Sequence, residues 1–279
     1  MKHKPSFPAK FDLSPGKGVA SKAGATHGSS GLQRVVATQA TQGIGLDSSA
    51  VRANMVKKLE KQGIQDARVL AAMNATHRHL FVDTALANQA YEDTSLPIGW
   101  GQTISKPNVV ARMIELLFQG KEAPLGRILE IGTGCGYQAA VLSHLAQEVY
   151  SIERLRGLFE KAQHNVRPFG FKNVHLLFGD GMLGFPKGAP YAGIIAAAGG
   201  EAIPQAWIDQ LAVGGRIVAP VANVGREAGR DAGNSGNMKN VTLGGQSEQS
   251  LVVIDKTSLG IKRSVLELVQ FVPLKSGLG

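Results

Sequence analysis

The chain has 279 residues, 43% of them hydrophobic, which is enough to build a substantial core in one large domain or two small ones. Lys and Arg outnumber Asp and Glu by 30 to 21, but no basic cluster is interleaved with aromatic residues, so we expect no specific nucleic-acid partner. The single cysteine excludes an internal disulfide, and no apolar run is long enough to span a membrane. We therefore expect a cytoplasmic protein without a membrane partner.

The first part of the chain, residues 1–46, is rich in Gly, Ser, Ala, Thr and Lys and shows no apolar periodicity. Such a segment buries too little apolar surface to offset its ordering entropy, so we predict a disordered basic tail. The folded domain is predicted to span residues 47–279. It begins with three short helices. The first is predicted to start near Asp47, the second near Asp66, and the third covers residues 84–90.

Two segments of this helical prelude, residues 47–107, carry polar residues that suggest a function. His77-Arg78-His79 lies near no Cys or carboxylate with metal-ligand spacing. We interpret the triplet as a solvated helix end, and we expect no metal site. Residues 96–107 hold glycines, two prolines and small hydroxyl residues, a composition that predicts a loop.

The remainder, residues 108–279, alternates strand and helix patterns. Strands are predicted at 128–131, 149–152, 174–178, 191–198 and 216–221. Helices are predicted at 108–118, 139–145, 155–167 and 203–211. This alternation predicts an α/β fold, a doubly wound, mostly parallel Rossmann-like sheet with helices on both faces. Residues 222–248, rich in Gly, Asn and Ser, predict a mobile loop before a final antiparallel strand pair at 251–254 and 265–272.

Glycines at three alternate positions, Gly132, Gly134 and Gly136, follow the first strand of this alternation. Glycine lets the backbone turn sharply and lets a ligand lie against it. The third glycine comes too early for the dinucleotide fingerprint G-x-G-x-x-G, and an acid, Glu130, precedes the first. A second acid, Glu153, ends the next apolar run, where a ribose-binding acid falls in such folds. A plain strand-to-helix turn is the alternative, but the two acids favour a cofactor site.

Several blocks carry a wider resemblance, which covers roughly residues 51–279. The most specific is the loop Thr103-Ile104-Ser105, ahead of the glycine motif. The other blocks are Leu129–Gly136, Gly179-Asp180-Gly181, Pro204-Gln205-Ala206, Gly214-Gly215-Arg216 and Phe271-Val272-Pro273-Leu274. The glycine motif resembles the first motif of S-adenosylmethionine-dependent methyltransferases, and the blocks together resemble the protein-L-isoaspartate O-methyltransferase family.

The resemblance implies a class I methyltransferase that uses S-adenosyl-L-methionine and releases S-adenosyl-L-homocysteine. Separately, we expect a monomer. Its implied substrate is the free α-carboxylate of L-isoaspartyl residues in damaged proteins and peptides. Ser105 is implied as the catalytic residue, because a hydroxyl can orient a carboxylate that is already ionised. Glu153 would accept hydrogen bonds from the ribose, and Asp180 from the adenine amino group. The implied cofactor-binding residues are Thr103, Ile104, Glu130, Gly132, Gly134, Gly136, Glu153, Asp180 and Gly181.

Two other functions stay open at this point. One is a methyltransferase of the same fold with a different acceptor, a small molecule or a nucleic acid. The other is a homologue that binds the cofactor and has lost activity. The complete Thr103-Ile104-Ser105 loop argues against both, although composition alone would make Ser105 an ordinary cap of the helix that follows it.

Overall fold

The computed structural model of the chain describes residues 49–122, 124–222 and 248–279. The predicted tail, residues 1–46, and all but the two ends of the loop predicted at 222–248 lie outside the described residues. The α-helices of the described part are α1 (Ser49–Lys61), α2 (Ala67–Ala75), α3 (Pro107–Phe118), α4 (Tyr137–Leu142), α5 (Arg156–Val166) and α6 (Gln205–Gln210). The strands are β1 (Leu96–Gly99), β2 (Gln102–Ile104), β3 (Leu125–Ile131), β4 (Ala146–Glu153), β5 (Val174–Phe178), β6 (Tyr191–Ala196), β7 (Leu211–Ala222), β8 (Gln249–Thr257) and β9 (Gly260–Val269).

Seven strands form one sheet in the order β5-β4-β3-β6-β7-β8-β9. The five strands from β5 to β7 are parallel, and β8 and β9 extend the sheet as an antiparallel pair. The predicted doubly wound, mostly parallel sheet is confirmed. Its chain order reverses beside β3, which has β4 on one side and β6 on the other. Ligands of such sheets bind outside the carboxyl ends of the strands at this reversal.

Successive residues of a strand point to opposite sides of the sheet. Neighbouring residues of β3 and β6 are apolar, so both faces of the sheet are apolar. Ile128 and Ile195 pack with the core that contains residues of α1 to α4, whereas Leu129 and Ile194 pack with the core that contains Trp207 of α6. Helices therefore cover both faces, and the predicted short helices at the start of the domain pack onto α3 and α4.

Several predicted boundaries are wrong. The final strand pair, predicted at 251–254 and 265–272, is the longer pair β8 and β9, and β9 ends at Val269. Residues 96–104, predicted as loop, form the antiparallel hairpin β1–β2. Strand β7 begins at Leu211 rather than at Arg216, because Leu211 pairs with Tyr191 and a register shift follows before Arg216 pairs with Gly193. Helix α4, predicted at 139–145, begins at Tyr137 and ends at Leu142.

The interpretation of His77-Arg78-His79 as a solvated helix end is also wrong at its central residue. Arg78 is fully buried at the start of a 3₁₀ helix, Arg78–Phe81. Its guanidinium lies 4.8 Å from the centroid of the Tyr137 ring. A buried guanidinium needs hydrogen-bond acceptors, and Arg78 donates to the backbone carbonyl oxygens of Ala90 and Ser105.

The described residues include no helix that is both long and apolar enough to cross a membrane.

Candidate functional site

A cavity of about 440 Å³ opens at the carboxyl ends of β3, β4 and β6. This volume is within the ~300–1,000 Å³ range of small-molecule sites. Four separate parts of the chain form the walls of the cavity: the β1–β2 hairpin with Ser105, the glycine turn after β3, the end of β4 with the start of α5, and a segment near the end of the chain. Predicted site residues that line it are Thr103, Ile104, Ser105, Gly132, Gly134, Glu153 and Gly181.

The glycine turn explains why the sequence places Gly at alternate positions. Gly132, Gly134 and Gly136 have φ values of 88°, 58° and 90°, in the left-handed region that side chains with a Cβ disfavour. A Cβ on Gly136 would also lie 2.7 Å from Cγ2 of Val166 in α5. Gly136 therefore serves the packing of the turn against α5, and it does not line the cavity.

Glu153 ends β4, and its buried carboxylate is held by the backbone on both sides. Its Oε2 accepts a hydrogen bond from the Gly134 N–H at 2.9 Å, and its Oε1 accepts one from the Leu155 N–H at 2.9 Å. Each carboxylate oxygen has a further lone pair, so the fixed Glu153 side chain can accept hydrogen bonds from two adjacent hydroxyl groups in the cavity.

Asp180 lies beside the cavity rather than in its lining, although the next residue, Gly181, lines it. The Met182 N–H donates to Asp180 Oδ1 at 2.9 Å, and the Gly277 N–H donates to Oδ2 at 2.6 Å. The second bond brings the segment near residue 277 across the carboxyl ends of β4 and β5. Asp180 thereby fixes one edge of the site and keeps lone pairs for a further donor.

Glu130 is placed differently from the prediction that it binds cofactor. Its side chain is completely buried beneath the turn, where it is hydrogen-bonded to the Ser151 hydroxyl, which in turn lies 2.6 Å from Thr133 Oγ1. Desolvation by burial raises the pKa of Glu130 to about 8, although the Ser151 hydroxyl and the Gln138 amide favour the ionised form. The structure thus gives Glu130 a place inside the protein, under the cavity floor.

Ser105 sits half-buried between β2 and α3 and lines the cavity. Ser105 is not the N-cap of α3, as the alternative interpretation required. The N-cap residue is Lys106, and its side chain makes no capping hydrogen bond. The Ser105 carbonyl oxygen accepts a hydrogen bond from Arg78 Nη2 at 2.7 Å, and Arg78 Nε donates to the Ala90 carbonyl at 2.8 Å. The buried guanidinium therefore connects the Ser105 backbone to the helical prelude.

Sequence reasoning missed several residues of the site. Arg78 was interpreted as solvated, because nothing in the local pattern signals burial of a charged side chain. Trp100 and the lining residues Tyr137, Gln138, Ala197, Ala198 and 272–275 were not singled out as site residues. Cys135 also lines the cavity; burial raises the pKa of its thiol to about 11, which argues against a role as nucleophile.

The prediction that Glu153 binds the cofactor can be tested directly. Glu153→Ala is expected to weaken the binding of S-adenosyl-L-homocysteine by ~1.5–3 kcal/mol, since acceptors for two hydroxyls are lost. Isothermal calorimetry on the folded variant measures this loss. Glu160→Ala, at an exposed position of α5, is the matched control and should bind with wild-type affinity. An unchanged affinity in Glu153→Ala would remove Glu153 from the cofactor site.

Comparison with known proteins places this chain in one family. A family model for protein-L-isoaspartate(D-aspartate) O-methyltransferase matches residues 50–231. The protein-L-isoaspartate O-methyltransferase of Methylibium petroleiphilum is 58% identical over 237 residues, which are 84% of this chain and 81% of that protein. The one of Ralstonia nicotianae is 48% identical over 271 residues, 93% of this chain and 79% of that protein.

Solved structures agree. A protein-L-isoaspartate O-methyltransferase structure superposes with a TM-score of 0.65 at 27% identity, over 82% of this chain and 67% of that one. A Plasmodium falciparum structure in complex with S-adenosyl-L-homocysteine shares the fold, with a TM-score of 0.62 at 21% identity over 80% of this chain and 98% of that one. The chain belongs to the protein-L-isoaspartate(D-aspartate) O-methyltransferase family.

Proposed function

We propose that this chain is a repair enzyme that transfers the methyl group of S-adenosyl-L-methionine to the free α-carboxylate of L-isoaspartyl residues in damaged proteins and peptides. The observation that carries the proposal is that the Ser105 loop and the Glu153 carboxylate face one cavity. Relatives with 48–58% identity over most of the chain are named for the same activity, which supports it.

The residues present fit the cofactor. The backbone turn at Gly132 and Gly134 leaves room for a ligand, Glu153 offers acceptors to the ribose hydroxyls, and Asp180 stands at the edge where an adenine amino group would donate. Thr103 and Ile104 would form the wall beside Ser105, and Gly181 the wall beside Asp180. When bound, the cofactor supplies an activated methyl group on a sulfonium, so the protein contributes orientation and electrostatics.

The substrate explains why the site offers a hydroxyl and no histidine base. A carboxyl group with a pKa near ~4 is already an anion at neutral pH, so no proton has to be removed before attack. Ser105 Oγ–H donates to one carboxylate oxygen and leaves the other free to attack. Holding a nucleophile in line can lower a barrier by up to roughly 7–11 kcal/mol in ideal cases, and this is the role we assign to Ser105.

The proposed role of Ser105 predicts a specific kinetic change. Ser105→Ala is expected to lower kcat by roughly one to two decades, because a hydrogen bond to a charged acceptor is worth ~1.5–3 kcal/mol. Binding of S-adenosyl-L-homocysteine should change far less, since the interaction is made in the chemical step. Ser105→Thr keeps the donor and should show an intermediate rate. Wild-type turnover in Ser105→Ala would exclude the positioning role.

The activity itself is tested with a matched substrate pair. Labelled methyl transfer is measured to an isoaspartyl peptide and to the aspartyl peptide of the same sequence. We expect transfer to the isoaspartyl peptide and background transfer to its aspartyl twin. Equal transfer to both, or to neither, would show that the acceptor is a different one.

We also propose that the protein acts as a monomer in the cytoplasm, with residues 47–279 as its catalytic domain. The single cysteine supports a reducing compartment, since the thiol is buried and has no second cysteine to pair with.

A further inference from the structure

Trp100 occupies an unusual position at the tip of the β1–β2 hairpin. Its φ is 50°, and no other non-glycine residue in the described part of the chain has a positive φ. The neighbouring Gly99 and Gly101 have φ values of 98° and 67°, so the left-handed conformation continues through three residues. Large side chains rarely adopt this conformation, and Trp100 holds its indole 56% exposed at the cavity wall.

The indole lies against Gly157 in the first turn of α5. A Cβ on Gly157 would come within 2.2 Å of Trp100 Cζ2 and 2.4 Å of Cε2. Gly157 is helical, so its backbone conformation does not call for glycine. Glycine inside a helix is unfavourable compared with alanine. The close approach of the indole is therefore the structural reason for glycine at this position.

This contact joins two walls of the cavity. The hairpin leads directly into Ser105, whereas α5 begins just after Glu153 and contributes Leu158 to the cavity lining. A second link lies one turn along α5, where Lys161 Nζ donates to the Ile98 carbonyl at 3.0 Å. The hairpin is thus fastened to α5 at its tip and at its first strand.

We propose that Trp100 is a positioning residue: its indole docks on Gly157 and holds the β1–β2 hairpin, and with it Ser105, against the wall that carries Glu153. The docked hairpin closes the cavity over the cofactor and sets the distance between the methyl donor and the substrate carboxylate. Trp100 touches α5 rather than the reacting atoms, so it acts through the loop. The inference rests on the proposed function and names a residue outside the motif of the family resemblance.

Gly157→Ala tests the contact without touching the indole itself. The added Cβ must displace Trp100, although alanine favours the helix. We expect kcat to fall and release of S-adenosyl-L-homocysteine to accelerate, each about tenfold, the factor that corresponds to ~1.4 kcal/mol. Trp100→Ala should show the same changes, and Trp100→Phe should restore part of them. Gln163→Ala, at an exposed position of the same helix, is the control and should behave as wild type.

A double-mutant cycle separates docking from general damage. Because both substitutions remove one contact, Gly157→Ala combined with Trp100→Ala should be no worse than either alone. Additive losses would overturn the proposal, since they would mean that the two residues act separately. Wild-type turnover and wild-type release in Gly157→Ala would overturn it as well.

Fluorescence gives a readout that needs no activity and no ligand. The chain has two tryptophans, and the other, Trp207, is buried and donates from Nε1 to the Gly181 carbonyl at 2.8 Å. The emission of Trp100, obtained by subtracting the spectrum of Trp100→Phe, should shift to longer wavelength in Gly157→Ala. An unshifted emission would contradict displacement of the indole. If the wild-type protein binds S-adenosyl-L-homocysteine but methylates no isoaspartyl peptide, the proposed function is wrong. The release rate of S-adenosyl-L-homocysteine and the emission of Trp100 still test whether the indole docks on Gly157.

Discussion

Replacement of Arg78 by methionine is expected to lower the free energy of unfolding by roughly 2–6 kcal/mol, since two carbonyl oxygens lose their donors at ~1–3 kcal/mol each. The lower half of this range is expected for two reasons. Methionine removes the desolvation cost of a buried guanidinium, and water can reach the half-buried Ser105 carbonyl. The Ala90 carbonyl belongs to a fully buried residue and has no such replacement.

The same substitution should slow the reaction even in the folded protein. The Ser105 backbone would lose its tie to the helical prelude, so turnover should fall more than cofactor affinity does. Arg78→Lys keeps the charge without the planar fork and should be intermediate in both properties. Urea unfolding and turnover measure the two effects. Arg112→Met is the control, because its ion pairs with Glu115 and Glu267 are partly exposed and contribute at most ~1 kcal/mol each. Wild-type stability and turnover in Arg78→Met would show that the buried guanidinium supports neither the fold nor the loop.

Glu130 predicts an unusual pH dependence of stability. Its pKa rises from an ordinary value of 4.5 to about 8 in the folded protein, so between these values the folded state binds a proton that the unfolded chain has released. This stabilising contribution is complete below pH 4.5 and is lost as the pH rises to 8. The loss is about 1.4 kcal/mol for each pH unit in that window.

Glu130→Gln is the test, because the amide is neutral at every pH and can still accept from Ser151. Urea unfolding across the window should show a smaller decline of stability towards pH 8 in the variant than in the wild type. Glu160→Gln, at an exposed position, should leave the wild-type slope unchanged. Equal slopes in the wild type and Glu130→Gln would show that the buried carboxyl is ionised throughout.

The strands of the sheet could be predicted from the sequence, because they are short apolar runs between helical patterns. Val174–Phe178 was predicted with the bounds that β5 has. The central parallel strands are apolar on both faces, so each appears as one continuous run. Strand β5 lies at the edge of the sheet and is partly exposed, and its only polar residue is His175. The glycine spacing likewise located the turn, since left-handed backbone at alternate positions leaves few other residue types.

The hairpin was missed for the opposite reason. Its strands have four and three residues, too few for an alternating pattern to appear. Pro97, Gly99 and Gly101 are also typical loop residues. Strand pairing between Leu96 and Ile104 is a tertiary outcome that local composition does not encode.

The candidate site could be predicted only where its residues belong to motifs. Arg78 contacts a carbonyl 27 positions away, and Trp100 meets a glycine on a distant helix. Burial of a charge and contact between remote residues follow from packing, which no spacing rule describes. The position of Glu130 could not be predicted either, because it depends on which face of β3 carries the side chain.

The wall formed by residues 272–275 bears on how the protein is made. Synthesis proceeds from the amino terminus, and domains fold as their residues emerge from the ribosome. A nascent chain that has already completed the glycine turn still lacks this wall and the Gly277 bond to Asp180. Cofactor stabilises only a chain that can bind it, so it cannot contribute before residues 272–277 are in place. Cellular supply of S-adenosyl-L-methionine should therefore affect the lifetime of the folded domain rather than the early folding of the segment that carries the glycine turn.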